Sequence, residues 1–218
     1  MARTRARTTP AVEIHPLTPA RWPDLVKLFG PRGACAGCWC MWWRLPRAEF
    51  DAGTGDGNRR GLERYARAGH VPGLLAYQAG EPVGWVAIEP RGAYPRLARS
   101  RTLAPVDDAP VWSITCFFVA RPHRGRGLTR ALIEAALRHA RAGGARVVEA
   151  YPVDLRKKVA DAFVYHGAAS TFRALGFEEA ARRSPSRPIM RRALAPRRGI
   201  RGRAAAGSRA GATSSRGR

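Results

Sequence analysis

The apolar positions of residues 111–141 change period once, and that change organises the rest of the chain. Val111 to Val119 (VWSITCFFV) is β-branched and aromatic with no glycine or proline, which predicts a buried strand. Arg121 and Pro122 break it. From Leu128 the apolar residues Leu128, Ala131, Leu132, Ala135 and Ala136 recur at i, i+3, i+4, i+7 and i+8, one face of an amphipathic helix. Between the two lies a basic glycine turn, Arg124-Gly125-Arg126-Gly127.

The same reading extends to both sides. Val12–Leu17 predicts a first strand, and Thr18 with Pro19 suits the start of a helix running to about Phe29, ended by Gly30-Pro31-Arg32-Gly33. Pro46–Ala68 reads as helix with a break around Gly53–Gly57. Gly73–Ala79 and Pro82–Glu89 predict a hairpin. Pro90–Pro110 is long and basic, the kind of loop that is functional or mobile. Gly143-Gly144 ends the central helix and Arg146–Tyr151 supplies another strand. Pro152–His166 reads as an inserted loop or partial helix. Ala168–Leu175 is a last helix capped by Gly176, and Phe177–Ala181 and Pro188–Leu194 are closing strands.

The glycine turn has a physical use. Glycines let backbone approach a ligand closely, and a helix start presents free N–H groups and partial positive charge. Arg124 and Arg126 add full charges, so a diphosphate is a natural guest. An ordinary strand-to-helix turn would look the same from two glycines alone. Neither the dinucleotide fingerprint GxGxxG nor a phosphate-binding Gly-Lys-Ser/Thr is present.

Charge and composition sharpen the boundaries. The 218 residues carry a net charge of +23. Arg3, Arg5 and Arg7 precede residue 10, and Arg197, Arg198, Arg201, Arg203, Arg209, Arg216 and Arg218 crowd the last 23 positions, with no acid in either segment. We therefore expect disordered basic ends at 1–10 and 196–218 around one domain at 11–195. Such ends suggest weak, nonspecific contact with nucleic acid. No apolar run reaches the length of a membrane span and no signal core follows the basic start, so a cytoplasmic chain off the membrane is expected. Four cysteines then read as thiols rather than disulfides. Three of them stand with three tryptophans in Cys35–Trp43, as a zinc half-site without its other half, as buried packing, or as the wall of an acceptor pocket. Packing and pocket are compatible, and no metal is expected.

Val119 followed by Arg124-Gly125-Arg126-Gly127-Leu128 resembles the signature of the GNAT superfamily of N-acetyltransferases, with Thr129 where that family prefers Gly or Ala. Phe172-Arg173-Ala174-Leu175-Gly176-Phe177 resembles its closing helix and Gly-Phe. Together the likeness covers most of residues 11–194. It implies an α/β (α+β) fold with a mixed central sheet of six to seven strands flanked by helices. It also implies that acetyl-CoA is the acyl donor, held at Arg124, Gly125, Arg126, Gly127, Leu128 and Thr129. A backbone N–H at Phe117, Phe118 or Val119 would polarise the thioester, with transfer to a primary amine by direct attack. Homodimers are common in the family. Its usual general-acid tyrosine is replaced here by Phe172, leaving Tyr165, a water or no specific acid.

For the base, Glu89 at the end of a predicted strand is weighed against Asp107 and Asp108, with a solvated strand end as its bland alternative. Trp39 and Trp42, with Asp107 and Asp108, are candidate acceptor-binding residues. Alternation along the central strand puts Cys116 on one face with Trp112, Ile114 and Phe118, where core packing is its simplest role. Two rival readings stay open: a nucleic-acid-binding protein acting through its tails, and an acyl-CoA-binding fold without catalysis.

Overall fold

The computed structural model describes residues 11–154 and 165–195. The expected tails, and most of the inserted 152–166 segment, lie outside them. Seven strands form one sheet in the order β1-β2-β3-β4-β5-β7-β6. They are β1 (Val12–Pro16), β2 (Gly73–Gln78), β3 (Glu81–Pro90), β4 (Trp112–Val119), β5 (Val147–Ala150), β6 (Glu178–Arg182) and β7 (Pro188–Ala193). All neighbours are antiparallel except β4 and β5, which run parallel. That single parallel pair needs a crossover, which the central helix supplies.

Helices α1 (Trp22–Phe29), α2 (Arg47–Ala52), α3 (Asp56–Arg67), α4 (Pro95–Ala98), α5 (Leu128–Ala142) and α6 (Ala169–Arg173) cover the two faces. The apolar stripe read from the sequence is what α5 buries: Leu132, Ile133, Ala136 and Ala140 are fully enclosed against Val86, Ile88 and Phe117. On the other face Trp85 and Ala87 meet Leu17, Leu25, Phe29 and Leu62. Period two along β3 thus feeds two cores at once.

One strand breaks its period. Ala87 pairs with Cys116 but Ile88 pairs with Ile114, so Thr115 is an extra residue on β4. This bulge overturns the simple alternation expected for β4. Trp112, Ile114, Phe117 and Val119 all pack on the α5 side, whereas Cys116 and Phe118 turn to the other core.

The 90–110 segment is ordered rather than open. The fully buried Glu149 of β5 pairs with Arg91 and, at 2.8 Å, with Arg191 of β7, and accepts the Tyr151 hydroxyl at 2.6 Å. Arg91 also donates to the Leu103 carbonyl at 2.7 Å, while Tyr94, Leu97 and Leu103 form a small third core with Tyr151 and Ile189. Buried charge of this kind is tolerable only when fully paired, which is the state of Glu149.

Candidate functional site

At the end of β4 the chain turns through a 3₁₀ segment, Arg121–His123, and enters α5. Gly125 and Gly127 have φ of 69° and 79°, a conformation glycine adopts without steric cost. A Cβ at either would meet nothing within 4 Å, so the turn faces open space. No side chain caps α5 and no acid sits in its first turn, which leaves the N-terminal N–H groups of a 15-residue helix available to an anion. Arg124 and Arg126 are exposed. The Arg124 Nε donates to the Val119 carbonyl at 3.0 Å, and His123 Nδ1 lies 2.8 Å from Gln78 Oε1, which ties the turn to β2. Leu128 is buried and Thr129 half-buried, so Leu128 can meet a ligand only through its backbone.

Past the bulge, β4 and β5 part company, since β5 pairs only with Trp112–Ile114. Residues 165–166 follow the vacated edge instead. The Phe117 N–H donates to the Tyr165 carbonyl at 2.6 Å, and His166 Nδ1 is 2.9 Å from the Thr115 carbonyl. A carbonyl only accepts, so His166 carries its proton on Nδ1.

Beside this edge is a cavity of about 190 Å³. One wall is β4 (Cys116, Phe117, Phe118), and the exposed Tyr165 and the buried His166 also line the cavity. The connection from α1 to α2 lines it with Trp42 and Trp43, and α2 adds Phe50. All four cysteines of the chain, Cys35, Cys38, Cys40 and Cys116, line it. The connection is strained. Ala34, Ala36, Trp39 and Cys40 all have left-handed φ, between 45° and 67°. Such backbone persists only when the surroundings enforce it. Here Asn58 Nδ2 holds the Gly37 and Phe50 carbonyls, each at 3.2 Å, and Trp85 Nε1 donates to Cys40 Sγ at 3.2 Å.

Burial sets the protonation of the lining. It pushes His166 down to about 3, with the positive charge of Arg187 adding to the effect and the Thr115 carbonyl opposing it. Contact with Cys40, then burial, raises the Cys38 thiol, and contact with Cys116 is the largest influence raising Cys40. Burial also raises the Tyr165 phenol, which keeps its proton at neutral pH. Among the described residues no group of three His, Cys, Asp or Glu is arranged to hold a metal ion.

Residues 39–164 match the model of the acetyltransferase (GNAT) family. The chain belongs to that family. The resemblance read from the β4–α5 turn therefore holds. The chain also shares its fold with YncA of Salmonella typhimurium, solved with its cofactor acetyl-CoA (18% identity, TM-score 0.50, covering 85% of this chain and 95% of that one). The PaiA N-acetyltransferase of Thermoplasma acidophilum, in complex with coenzyme A, gives 11% identity and a TM-score of 0.49, covering 84% of this chain and 99% of the other. A GCN5-related N-acetyltransferase of Kribbella flavida gives 16% and 0.45 over 78% of this chain, which spans only 34% of that longer protein. No curated protein matches the sequence.

Within this GNAT fold the expected site residues separate into two groups. The turn residues 124–129, Phe117, Phe118, Trp42 and Tyr165 gather around β4 and the cavity. Trp39 does not line it. Its ring is buried between Trp22 and Phe29, at 6.1 and 5.5 Å between centroids, because its left-handed backbone turns it inward. Asp107 pairs with Arg191 at 2.6 Å, and that arginine holds its carboxyl below the usual range; Asp108 is exposed beside it, and neither borders the cavity.

Glu89 is no solvated strand end. It is buried in an ion pair with Arg44, accepts the Tyr65 hydroxyl at 3.0 Å, and does not line the cavity. Arg44 in turn stacks on the rings of Tyr65 and Tyr94 at 4.7 and 4.6 Å. A carboxylate so paired, and away from the cavity, is not in reach of an amine seated there. Phe172, at the position where a tyrosine would be the general acid, is wholly buried between Phe117 and Phe177.

Sequence reasoning reached Trp43 only as part of the Cys35–Trp43 pocket wall, and it missed Phe50 and His166 as lining residues. His166 gave no signal, because its approach to β4 is made by a segment 50 residues downstream.

Proposed function

We propose that this GNAT-family acetyltransferase transfers acetyl from acetyl-CoA to a primary amine seated in the cavity beside β4, by direct attack. The observation that carries the reading is the continuity of β4: its C-terminal end opens onto an uncapped glycine turn suited to a pyrophosphate, and its middle forms one wall of a half-open cavity. Donor and acceptor would meet along one strand, which supplies the proximity such a reaction needs.

In this reading the backbone amides of 125–129 bind the diphosphate, with Arg124 and Arg126 adding charge. The amine nitrogen attacks the thioester carbon, the C–S bond breaks, the electron pair leaves with sulfur, and the nitrogen sheds its extra proton to solvent water. Tyr165, at the cavity and still protonated at neutral pH, is placed to return a proton to the thiolate. Glu89 takes no part. Of the three amides considered for the carbonyl, Phe117 N–H already has the Tyr165 carbonyl as partner, so that contact must open for Phe117 to serve.

The same contact and the apolar Phe172 favour a second reading, an acyl-CoA-binding fold that does not turn over. Calorimetric titration of the full chain with acetyl-CoA, followed by thiol release on an amine panel, separates the two. Salt-tolerant stoichiometric binding with amine-dependent release of CoA supports the transferase. Binding without release supports the second reading, and no binding overturns both.

A further inference from the structure

The cavity also carries information about the charge of its acceptor. Among the described residues its lining holds no carboxylate. Several acids outside it are already committed: Glu89 to Arg44, Asp51 to Arg47 at 2.5 Å, and Asp154 to Arg173 and Arg182 at 3.0 and 2.7 Å. Of its two tryptophans, Trp42 already holds cations, and Trp43 packs against the rings of Trp42 and His166. The Arg96 guanidinium sits 3.7 Å from the centre of the Trp42 ring, and that of Arg47 5.4 Å. The full charge that acts on Tyr165 and His166 is the half-buried Arg187, which is positive.

An alkylammonium entering here would lose its water and find thiols, apolar rings and a repelling guanidinium. Burying an unpaired charge that way is strongly unfavourable. It would then still need to lose a proton before attack. The titratable groups facing it are the four thiols, Tyr165 and His166. Two of the thiols and the phenol are shifted towards their neutral forms, and the imidazole is a weak base with Nδ1–H committed to Thr115. A flat amine that is already uncharged in neutral water avoids both penalties. Size agrees: an apolar cavity of about 150 Å³ holds a benzene molecule, so the 190 Å³ here admits one ring with small substituents.

We propose that the acceptor is a weakly basic aromatic amine, with the amino group on or conjugated to the ring, rather than an alkylammonium. This rests on the transferase reading above and narrows its acceptor.

Two isomers of one formula test it, 4-methylaniline and benzylamine, which share volume and ring but differ in basicity. With the full chain and saturating acetyl-CoA, kcat/KM at pH 7 is expected to favour 4-methylaniline at least tenfold, although benzylamine is the better intrinsic nucleophile. The 4-methylaniline rate should stay flat from pH 6 to 8. Residual benzylamine turnover should rise about tenfold per pH unit as its ammonium deprotonates. Cys35→Asp, which adds a carboxylate at the exposed lip, should move the preference towards benzylamine by fivefold or more; no movement would overturn the electrostatic basis. Equal or better use of benzylamine by the native chain overturns the acceptor class and leaves the transferase standing. If acetyl-CoA binds but neither isomer reacts, equilibrium binding decides, and tighter benzylamine, or no binding of either, overturns the proposal. Failure to bind acetyl-CoA overturns the transferase reading itself.

Discussion

The turn at the end of β4 and the cavity beside its middle are neighbours on one strand, yet they are made of different materials. The turn is backbone: two glycines with positive φ, an uncapped helix start and open space in front. The cavity is side chain, drawn from three segments far apart in sequence and closed by rings and thiols. A backbone site is specified by a few consecutive residues and suits a ligand part common to many reactions. A side-chain site depends on the whole fold, and there an individual enzyme sets its own specificity.

The largest effect is expected at a residue belonging to neither region. Glu89→Ala should cost about 3–5 kcal/mol of stability, because it strands the buried Arg44 guanidinium. The measurement is chemical denaturation. A variant that loses catalysis with stability intact would make Glu89 part of the acceptor site after all.

Next comes the turn. Gly125→Glu should weaken acetyl-CoA at least 100-fold by calorimetry, about 2.7 kcal/mol. The fold should lose only about 1 kcal/mol for the left-handed backbone, since the new side chain meets open space. A change confined to the amine KM would erase the distinction between the two regions.

Trp43→Ala is the converse. It should raise the acceptor KM roughly tenfold, about 1.4 kcal/mol, and leave the acetyl-CoA Kd unchanged. Steady-state kinetics beside calorimetry checks both halves.

The last effect is nil at neutral pH and grows only in acid. Folded His166 stays neutral down to about 3, while an unfolded histidine takes up its proton near 6.5. Its contribution to stability is therefore complete above pH 6.5 and is lost as pH falls from there towards 3, at no more than about 1.4 kcal/mol per pH unit. His166→Asn should flatten that part of the stability–pH curve. An unchanged slope would mean that the ring is not enclosed as described.

Much of the fold was legible. The β-branched, aromatic run of β4 and the i, i+3, i+4 stripe of α5 place the central strand and helix, and the glycine turn locates the family. The reading failed where a local rule met a tertiary one. Alternation along β4 put Cys116 with Ile114, but the extra residue at Thr115 separates them, and a bulge follows from pairing with β3 rather than from composition. Glu89 could be read as a general base or as a solvated strand end until Arg44, 45 positions upstream, was brought against it. No helix among the described residues is long and apolar enough to cross a membrane, in keeping with the hydropathy of the chain.

By itself the sequence determined the strand–turn–helix unit, because it rests on periodicity and on residues within one or two turns of one another, while the layered sheet followed from the family resemblance that this unit carries. Only the tertiary structure decided that Trp42 and Trp43 face the cavity while Trp39 is core. It alone brought Cys116 to Cys35, Cys38 and Cys40, and seated His166 on the edge left when β5 departs from β4. Those outcomes depend on long-range packing, whose partners are distant along the chain and leave no periodic trace in it.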